Sequence, residues 1–335
     1  MRTVIAKNNH TIHLASQLLK RHSGFNLIEL MVAMVIGIFL LAVVGSIVFS
    51  AQLSFNTSNR LVRVQQNGHL AKNMVTNDLK RARYMGSNMV LDAANLFGTE
   101  GQEAPAAGCD TTTTTWARMV KQGLFGVDDV QIAGGSTYAC ITALVSGAVG
   151  SYKRGDILTV RYAAPWDVST FVDDKLYIRS SFVSSWIFLG INESNASNDE
   201  SSFPDPIKDV HELIAYSYYI GDSGRDCNSI NGTVGVDSLF RVSINAGNPV
   251  TEEIFPGIED FQVQFSTDGI VYVDANNVTD WDAVVATQFW LLAKSECEEI
   301  GLVDNNIRTL AGVTRPAPND GFRRELYYSF VEHRN

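Results

Sequence analysis

Glu29 is the residue whose setting most demands a chemical partner. It stands directly before twenty uncharged residues, Leu30 to Phe49. A carboxylate at the edge of so apolar a run is costly in hydrocarbon and is kept where it serves a function with a nameable partner. The second group with obvious chemistry is the set of four cysteines, Cys109, Cys140, Cys227 and Cys297. No two have Cys-x-x-Cys spacing and the histidines are scattered, so the pattern speaks against zinc and for two disulfides. Three connectivities are possible. Cys109 with Cys140 and Cys227 with Cys297 closes the shortest loops and is favoured by loop entropy.

Other constellations carry less. Gly221-Asp222-Ser223-Gly224 resembles the nucleophile loop of trypsin-like proteases but lacks the glycine and proline that should follow. No histidine has the matching upstream setting, and the stretch reads as a turn. Asp274, Asn276, Asn277, Asp280 and Asp282 offer oxygen atoms of the kind calcium takes. They lack the spacing and central glycine of a calcium loop, so they read as solvated loop acids. Tyr216, Tyr218 and Tyr219 read as sheet packing. No phosphate-binding glycine loop is present. These readings point to a non-enzymatic protein without cofactor or metal.

The element that must position Glu29 is a helix. Twenty residues at about 1.5 Å each give roughly 30 Å, the thickness of a bilayer core. Residues 1 to 24 contain Arg2, Lys7, Lys20 and Arg21 and no acid. Basic flanks stay cytoplasmic, which places the amino terminus inside and everything after Phe49 outside, in an oxidising compartment suited to disulfides. A secretory signal would carry a small-x-small cleavage site behind its apolar core. Here the small residue, Gly24, lies in front of it, which points to cleavage on the cytoplasmic side with the helix retained.

Gly24-Phe25-Asn26-Leu27-Ile28-Glu29-Leu30-Met31-Val32-Ala33, behind a basic leader, resembles the prepilin signal of the type IV pilin family. The resemblance implies a prepilin peptidase that cuts after Gly24 and methylates the new amine of Phe25. It also implies polymerisation through the helix, with Glu29 pairing with the Phe25 amine of a neighbouring subunit. Pseudopilins of type II secretion systems carry the same signal, so a J-type pseudopilin is the nearer alternative. A membrane-anchored periplasmic enzyme or binding domain is the more distant one.

Before Pro105 no proline interrupts the helix. A stripe at Leu53, Thr57, Leu61, Val64, Gly68, Ala71, Val75, Leu79 and Ala82 recurs in steps of three and four, with Asn59, Arg63, Gln66, Asn73, Asn77 and Lys80 on the other face. That is an amphipathic continuation ending near Tyr84, whose apolar face meets something solid. Ala33, Gly37, Ala42, Gly45 and Ser46 allow close approach of other helices to the first half. Lys80-Arg81-Ala82-Arg83 reads as a solvated helix face.

Residues 87 to 155, rich in Gly, Ala, Thr and Asn, read as a loop-rich connection. From Asp156 onward strand-like segments recur: 157–162, 186–189, 213–220, 239–244, 261–265, 284–293 and 326–331. Residues 284–293 are also compatible with a helix. Asn192 to Ser202 reads as an exposed loop. The expected organisation is a leader at 1–24, a long helix at 25–85 with its membrane part at about 29–49, and a head at 86–335. The fold class is α+β, a type IV pilin-like arrangement of a long N-terminal helix on a mainly antiparallel sheet.

Further segments resemble the PilW-type minor pilins: Val64-Gln65-Gln66-Asn67-Gly68, Asp78 to Gly86, Asp156 to Tyr162, Gly257 to Val263, and Phe322-Arg323-Arg324. That resemblance implies a low-abundance subunit that helps initiate pilus assembly, with adhesion and twitching motility as the processes served. The implied partners are other minor pilins, the major pilin, a tip adhesin, the prepilin peptidase and the inner-membrane assembly platform. The implied location is the bacterial inner membrane, then the pilus. The formal charge of −10 becomes −14 once the four leader bases are lost, which disfavours nucleic acid as a partner.

Overall fold

The computed structural model describes residue 24 and residues 26–87, 96–97, 122–129, 149–182, 184–190, 209–229, 232–245 and 248–333. One helix, α1 (Leu27–Arg81), runs for 55 residues, or about 82 Å. The Asn26 carbonyl accepts the N–H groups of Glu29 and Leu30, which closes the first turn. Lys80 and Arg81 lie in the last turn, where positive charge suits the helix dipole. The helix stops at Arg83, whose φ of 72° is left-handed and whose N–H turns away to the Arg161 carbonyl.

The chain divides into two compact units, Met1–Asn56 and Thr57–Asn335. In the first, nearly every described side chain faces outward. In the second, the expected stripe is the buried one: Val64, Gly68, Ala71, Val75, Leu79 and Ala82 are buried, and all six residues assigned to the opposite face are exposed.

Fourteen strands follow in chain order: β1 (Leu96–Phe97), β2 (Leu124–Val127), β3 (Tyr152–Ala163), β4 (Leu176–Ser180), β5 (Ser185–Leu189), β6 (Asp209–Ser229), β7 (Gly232–Asn245), β8 (Asn248–Pro256), β9 (Ile258–Ser266), β10 (Val273–Asp274), β11 (Ala286–Lys294), β12 (Arg308–Leu310), β13 (Val313–Arg315) and β14 (Arg324–Glu332). They form two main sheets where a single one was expected. The first has eight strands in the order β1-β5-β4-β6-β3-β2, with β7 and β8 added along the 21-residue β6. The second has four strands in the order β10-β9-β11-β14, and β12 with β13 makes a small hairpin. Apart from β1 beside β5, every pairing is antiparallel. Residues 284–293 resolve as strand β11 between β9 and β14. The region 87–155 contains β1, β2 and the start of β3. Its Thr111–Thr115 run, like Asn192–Ser202, lies outside the described residues.

The largest core joins the α1 stripe to both sheets. Leu158, Val160, Tyr218, Ile220 and Leu239 come from the eight-stranded sheet, and Phe261, Val263, Phe289, Leu291, Tyr327 and Val331 from the four-stranded one. Each such side chain, fully buried, stabilises by about 1.5–3 kcal/mol before the entropy of ordering it. Gly68 is the notch in this packing: a Cβ there would lie 2.1 Å from the Tyr327 ring.

Candidate functional site

Two regions carry the polar chemistry of the chain. The first is the start of α1. Gly24 is described and exposed, Phe25 lies outside the described residues, and Glu29 sits exposed in the first helical turn. The helix that follows holds a span long and apolar enough to cross a membrane, with none of that window buried in the protein. A helix apolar on all sides needs lipid or other helices around it.

The second region is a seam of charged groups between the two sheets, built from side chains that sequence periodicity does not bring together. Arg324 on β14 lies at its centre. Its guanidinium grips Glu259 of β9 with two nitrogens, reaches Asp320 at 2.6 and 2.8 Å, and Asp304 at 3.1 Å. Lys294 of β11 lies 3.3 Å from Glu259 and 3.4 Å from Asp237 of β7, which belongs to the other sheet. Burial alone would raise the Glu259 carboxyl. The Arg324 bonds, with Lys294 and Arg154, hold it down at about 2. Burial works against the Arg324 charge as well, yet Asp320 and Glu259 raise its pKa above the usual guanidinium value.

Beside this group lies a cluster of acids. Asp156 of β3 accepts the Val263 N–H of β9 at 2.7 Å and the Asp129 N–H at 3.0 Å, a second tie between the sheets. Burial, and then the neighbouring Asp128 and Asp129, push Asp156 up to about 8 against the pull of those two bonds. Arg315 of β13 bonds Asp260 at 2.6 Å and Asp129 at 3.2 Å. Ligand oxygens of Asp128, Asp129 and Asp156 lie within 4.8 Å of one another. A cleft of about 220 Å³ opens over the seam between Arg154, Arg308, Arg315, Pro316 and Pro318.

Two backbone positions let the sheets approach at this seam. Gly155 (φ 78°) has no room for a Cβ, which would lie 2.5 Å from the Phe261 carbonyl. Gly257 (φ 74°) turns β8 into β9, and a Cβ there would lie 2.5 Å from the Lys294 carbonyl. The seam is also covalent. Cys227 of β6 is bonded to Cys297, just after β11, with Cα atoms 5.5 Å apart. Cys109 and Cys140 lie outside the described residues.

The helix is fastened to both sheets by groups that patterning hides. Asp78 is buried and accepts the hydroxyls of Tyr162, at 2.7 Å, and of Tyr218. Burial, and then the Asp78 charge, raise both phenols well above their ordinary value. Thr76 and Ser329 share a hydrogen bond of 2.9 Å to the other sheet. Arg83 does not belong to a solvated face. Only Lys80 and Arg81 do, while Arg83 donates to the carbonyls of Trp281 and Val284.

The remaining sequence candidates fall into place around this frame. Asp222 lies in β6 at a register irregularity, paired with Lys153 at 2.7 Å, and Ser223 Oγ accepts the Arg225 N–H, a local turn. Tyr218 and Tyr219 are fully buried in the sheet, and Tyr216 stacks under the Arg241 guanidinium at 4.1 Å. Of the loop acids near 280, Asp274 bonds Gln264 and Asp280 accepts the Asp282 N–H.

Residues 217–335 match the family model described as Type IV pilus-assembly protein W. Over that segment the chain is similar to PilW-type type IV pilus assembly proteins. No curated protein and no solved structure matches the chain. The PilW-type segment contains the disulfide, Asp237, Glu259, Lys294, Arg315 and Arg324, and hence nearly all of the seam. Asp78 and Asp156 lie outside it. Its role is thereby one related to type IV pilus assembly.

Proposed function

We propose that the chain is a minor pilin, a non-enzymatic subunit that helps to initiate pilus assembly together with other minor pilins. The observation that carries this reading is the combination, in one chain, of an outward-facing apolar helix that begins with Glu29 and a C-terminal PilW-type segment. On this reading a prepilin peptidase cuts after Gly24 and methylates the Phe25 amine. The first half of α1 then passes from the bilayer into contact with other pilin helices. Glu29 answers the Phe25 amine of a neighbour, which turns a costly intramembrane charge into a pair that sets register.

The seam suits such a part. Its acids are largely paired with arginine or lysine, and the Lys294–Asp237 and Arg154–Glu259 pairs with the Asp156–Val263 bond join the two sheets. Breaking a buried pair of this type is costly even where forming it gained little. The head is thereby held as one body through which contacts made on its surface can be passed on. The major pilin, a tip adhesin and the inner-membrane platform are the further partners of this mechanism.

Two measurements test it together. Mass spectrometry of the protein from its own cells should find Phe25 as a methylated amino terminus, with Gly24→Val blocking the cut. Removal of the gene should lower the number of pili sharply. An amino terminus elsewhere, or unchanged pili without the protein, would contradict the proposal.

A further inference from the structure

Strand β14 is apolar on both faces although it ends its sheet. Tyr327 and Val331 point inward to the core. Leu326, Tyr328 and Phe330 point the other way and are 41%, 51% and 49% exposed. A nearly continuous apolar run of this kind belongs to a strand covered on both sides.

The outer face of the four-stranded sheet is covered over only half its width. Over β9, Arg315 of the β12–β13 hairpin bonds Asp260, and Gln264 bonds the Ala311 carbonyl. Over β14 and Trp290 of β11 no such cover is present among the described residues, whereas Ala286 and Leu292 of β11 are buried. Instead the register sets Trp290 opposite Tyr328, with rings 5.3 Å apart, and Tyr272 reaches the Phe330 ring at 6.4 Å. The turn before Tyr272 continues the surface outward with Ile270 and Val271, 82% and 60% exposed. Seven large apolar side chains thus share one side of the head, and contiguous apolar surface of this extent marks an interaction site. Among the described residues β14 is the terminal strand of its sheet.

Charge decides what fits. Asp268 fixes the Ile270–Val271 turn through its backbone N–H groups, and Glu332 ends the outer row of β14. Burial, and then Tyr328, Asp268 and Glu332, raise the Tyr272 phenol, so these negative groups surround the aromatic surface. The cation of the same row, Arg324, is turned into the seam and neutralised by Glu259, Asp304 and Asp320. The rim is therefore acidic around an apolar centre. A second copy of the chain would set this rim against its own kind, between bodies of formal charge −10.

We propose that the outer face of β11 and β14, with the Ile270–Val271 turn, docks a different protein through an apolar segment of that partner flanked by lysine or arginine. This deepens the assembly reading by assigning a face of the head and the chemistry of what it meets.

The test uses the full-length chain in its own cells with a photo-crosslinking phenylalanine derivative at Tyr328, and the same group at Asn77 on the exposed polar face of α1 as control. The expected result is one discrete adduct from Tyr328, absent from Asn77, whose cross-linked peptide is apolar with a basic residue close on either side. Combined Asp268→Lys and Glu332→Lys should reduce it by about fivefold or more, as for opposed rim charges. Protease resistance and an intact Cys227–Cys297 bond in each variant show that the head is folded. No adduct, an adduct with a second copy, a partner peptide without bases, or an adduct indifferent to charge reversal would each overturn the inference. Failure of the assembly reading looks different: pili would persist without the gene, whatever the Tyr328 adduct does.

Discussion

The two halves of α1 obey opposite rules along one continuous helix. From Leu27 to Asn56 the residues are apolar on nearly all sides and almost all exposed. From Thr57 to Arg81 the buried residues Val64, Gly68, Ala71, Val75 and Leu79 form one stripe, with Val62 and Leu70 left exposed off it. Each half also carries an acid of opposite setting: Glu29 is exposed in the first turn, and Asp78 is buried under two tyrosines. The partners of the second half come from the same chain, whereas the membrane-length window of the first is not buried among the described residues. Substitutions placed in pairs, one in each half, therefore separate stability from assembly.

The largest effect should come from the two acids. Asp78→Ala leaves two buried hydroxyls without an acceptor and opens space beneath them, at a cost of about 3–5 kcal/mol. Glu29→Ala should leave head stability unchanged, since Glu29 is exposed in the first turn of α1. Denaturant unfolding of the two variants checks the contrast. Equal effects would mean that the halves are not independent.

Next comes the covalent tie. Cys227 and Cys297 are 70 residues apart, and opening that loop should cost about 2–4 kcal/mol. Hydrogen exchange should then speed up in Thr57–Arg81, where the helix depends on the sheets, and leave Leu27–Asn56 as it was. Glycines give a smaller but sharper contrast. Gly68→Ala forces a Cβ into the Tyr327 ring and should cost about 2 kcal/mol. Gly37→Ala meets nothing within 4 Å and should leave thermal unfolding unmoved.

The last contrast is graded in pH, small per pH unit and accumulating over several. Asp156 has a folded pKa of about 8 against 3.8 for the free group, so the folded chain binds the extra proton between those values. Its contribution is fully present below 3.8 and is lost as pH rises towards 8, at up to about 1 kcal/mol per pH unit. Asp156→Asn should flatten that slope between pH 5 and 8. Glu259 acts in the opposite sense. Its folded value of about 2 lies below the free 4.5, so its stabilisation is present above 4.5 and is lost as pH falls towards 2. Calorimetry across both windows checks the signs. Exchange protection should change in the second half of α1 alone.

The division between legible and hidden features follows from how far each signal reaches along the chain. The stripe of α1 could be read because Val64, Gly68, Ala71, Val75 and Leu79 declare their period locally. The strands 239–244 and 261–265 alternate in the same open way. Asp78 could not be read, since an acid between apolar positions looks like solvent-facing polarity until Tyr162 and Tyr218 are placed above it. Residues 284–293 were ambiguous because a short apolar run has no period of its own. Only pairing with β9 and β14 makes it a strand. Two sheets rather than one, and the Arg324 seam between them, depend on contacts such as Asp237 with Lys294 that span 57 residues. The segments 257–263 and 322–324 had been marked for their family resemblance, and the Glu259–Arg324 pair gives their side chains a physical role. Strand β8 carries no sequence signal of its own, with Pro249, Glu252 and Glu253 in it, and its place beside β7 alone tolerates them.

The claim at the centre of this account is that the first half of α1 exists for other subunits. The most direct measurement compares the amount of this protein incorporated into sheared pili in a Glu29→Leu strain and in wild type, normalised to the protein in the membrane fraction. Because Glu29→Leu makes the helix more apolar, insertion persists and the head remains folded and disulfide-bonded. The account predicts a normal membrane level with incorporation lowered roughly tenfold, as loss of a partner for a charge in hydrocarbon implies. Unchanged incorporation at a normal membrane level would contradict it.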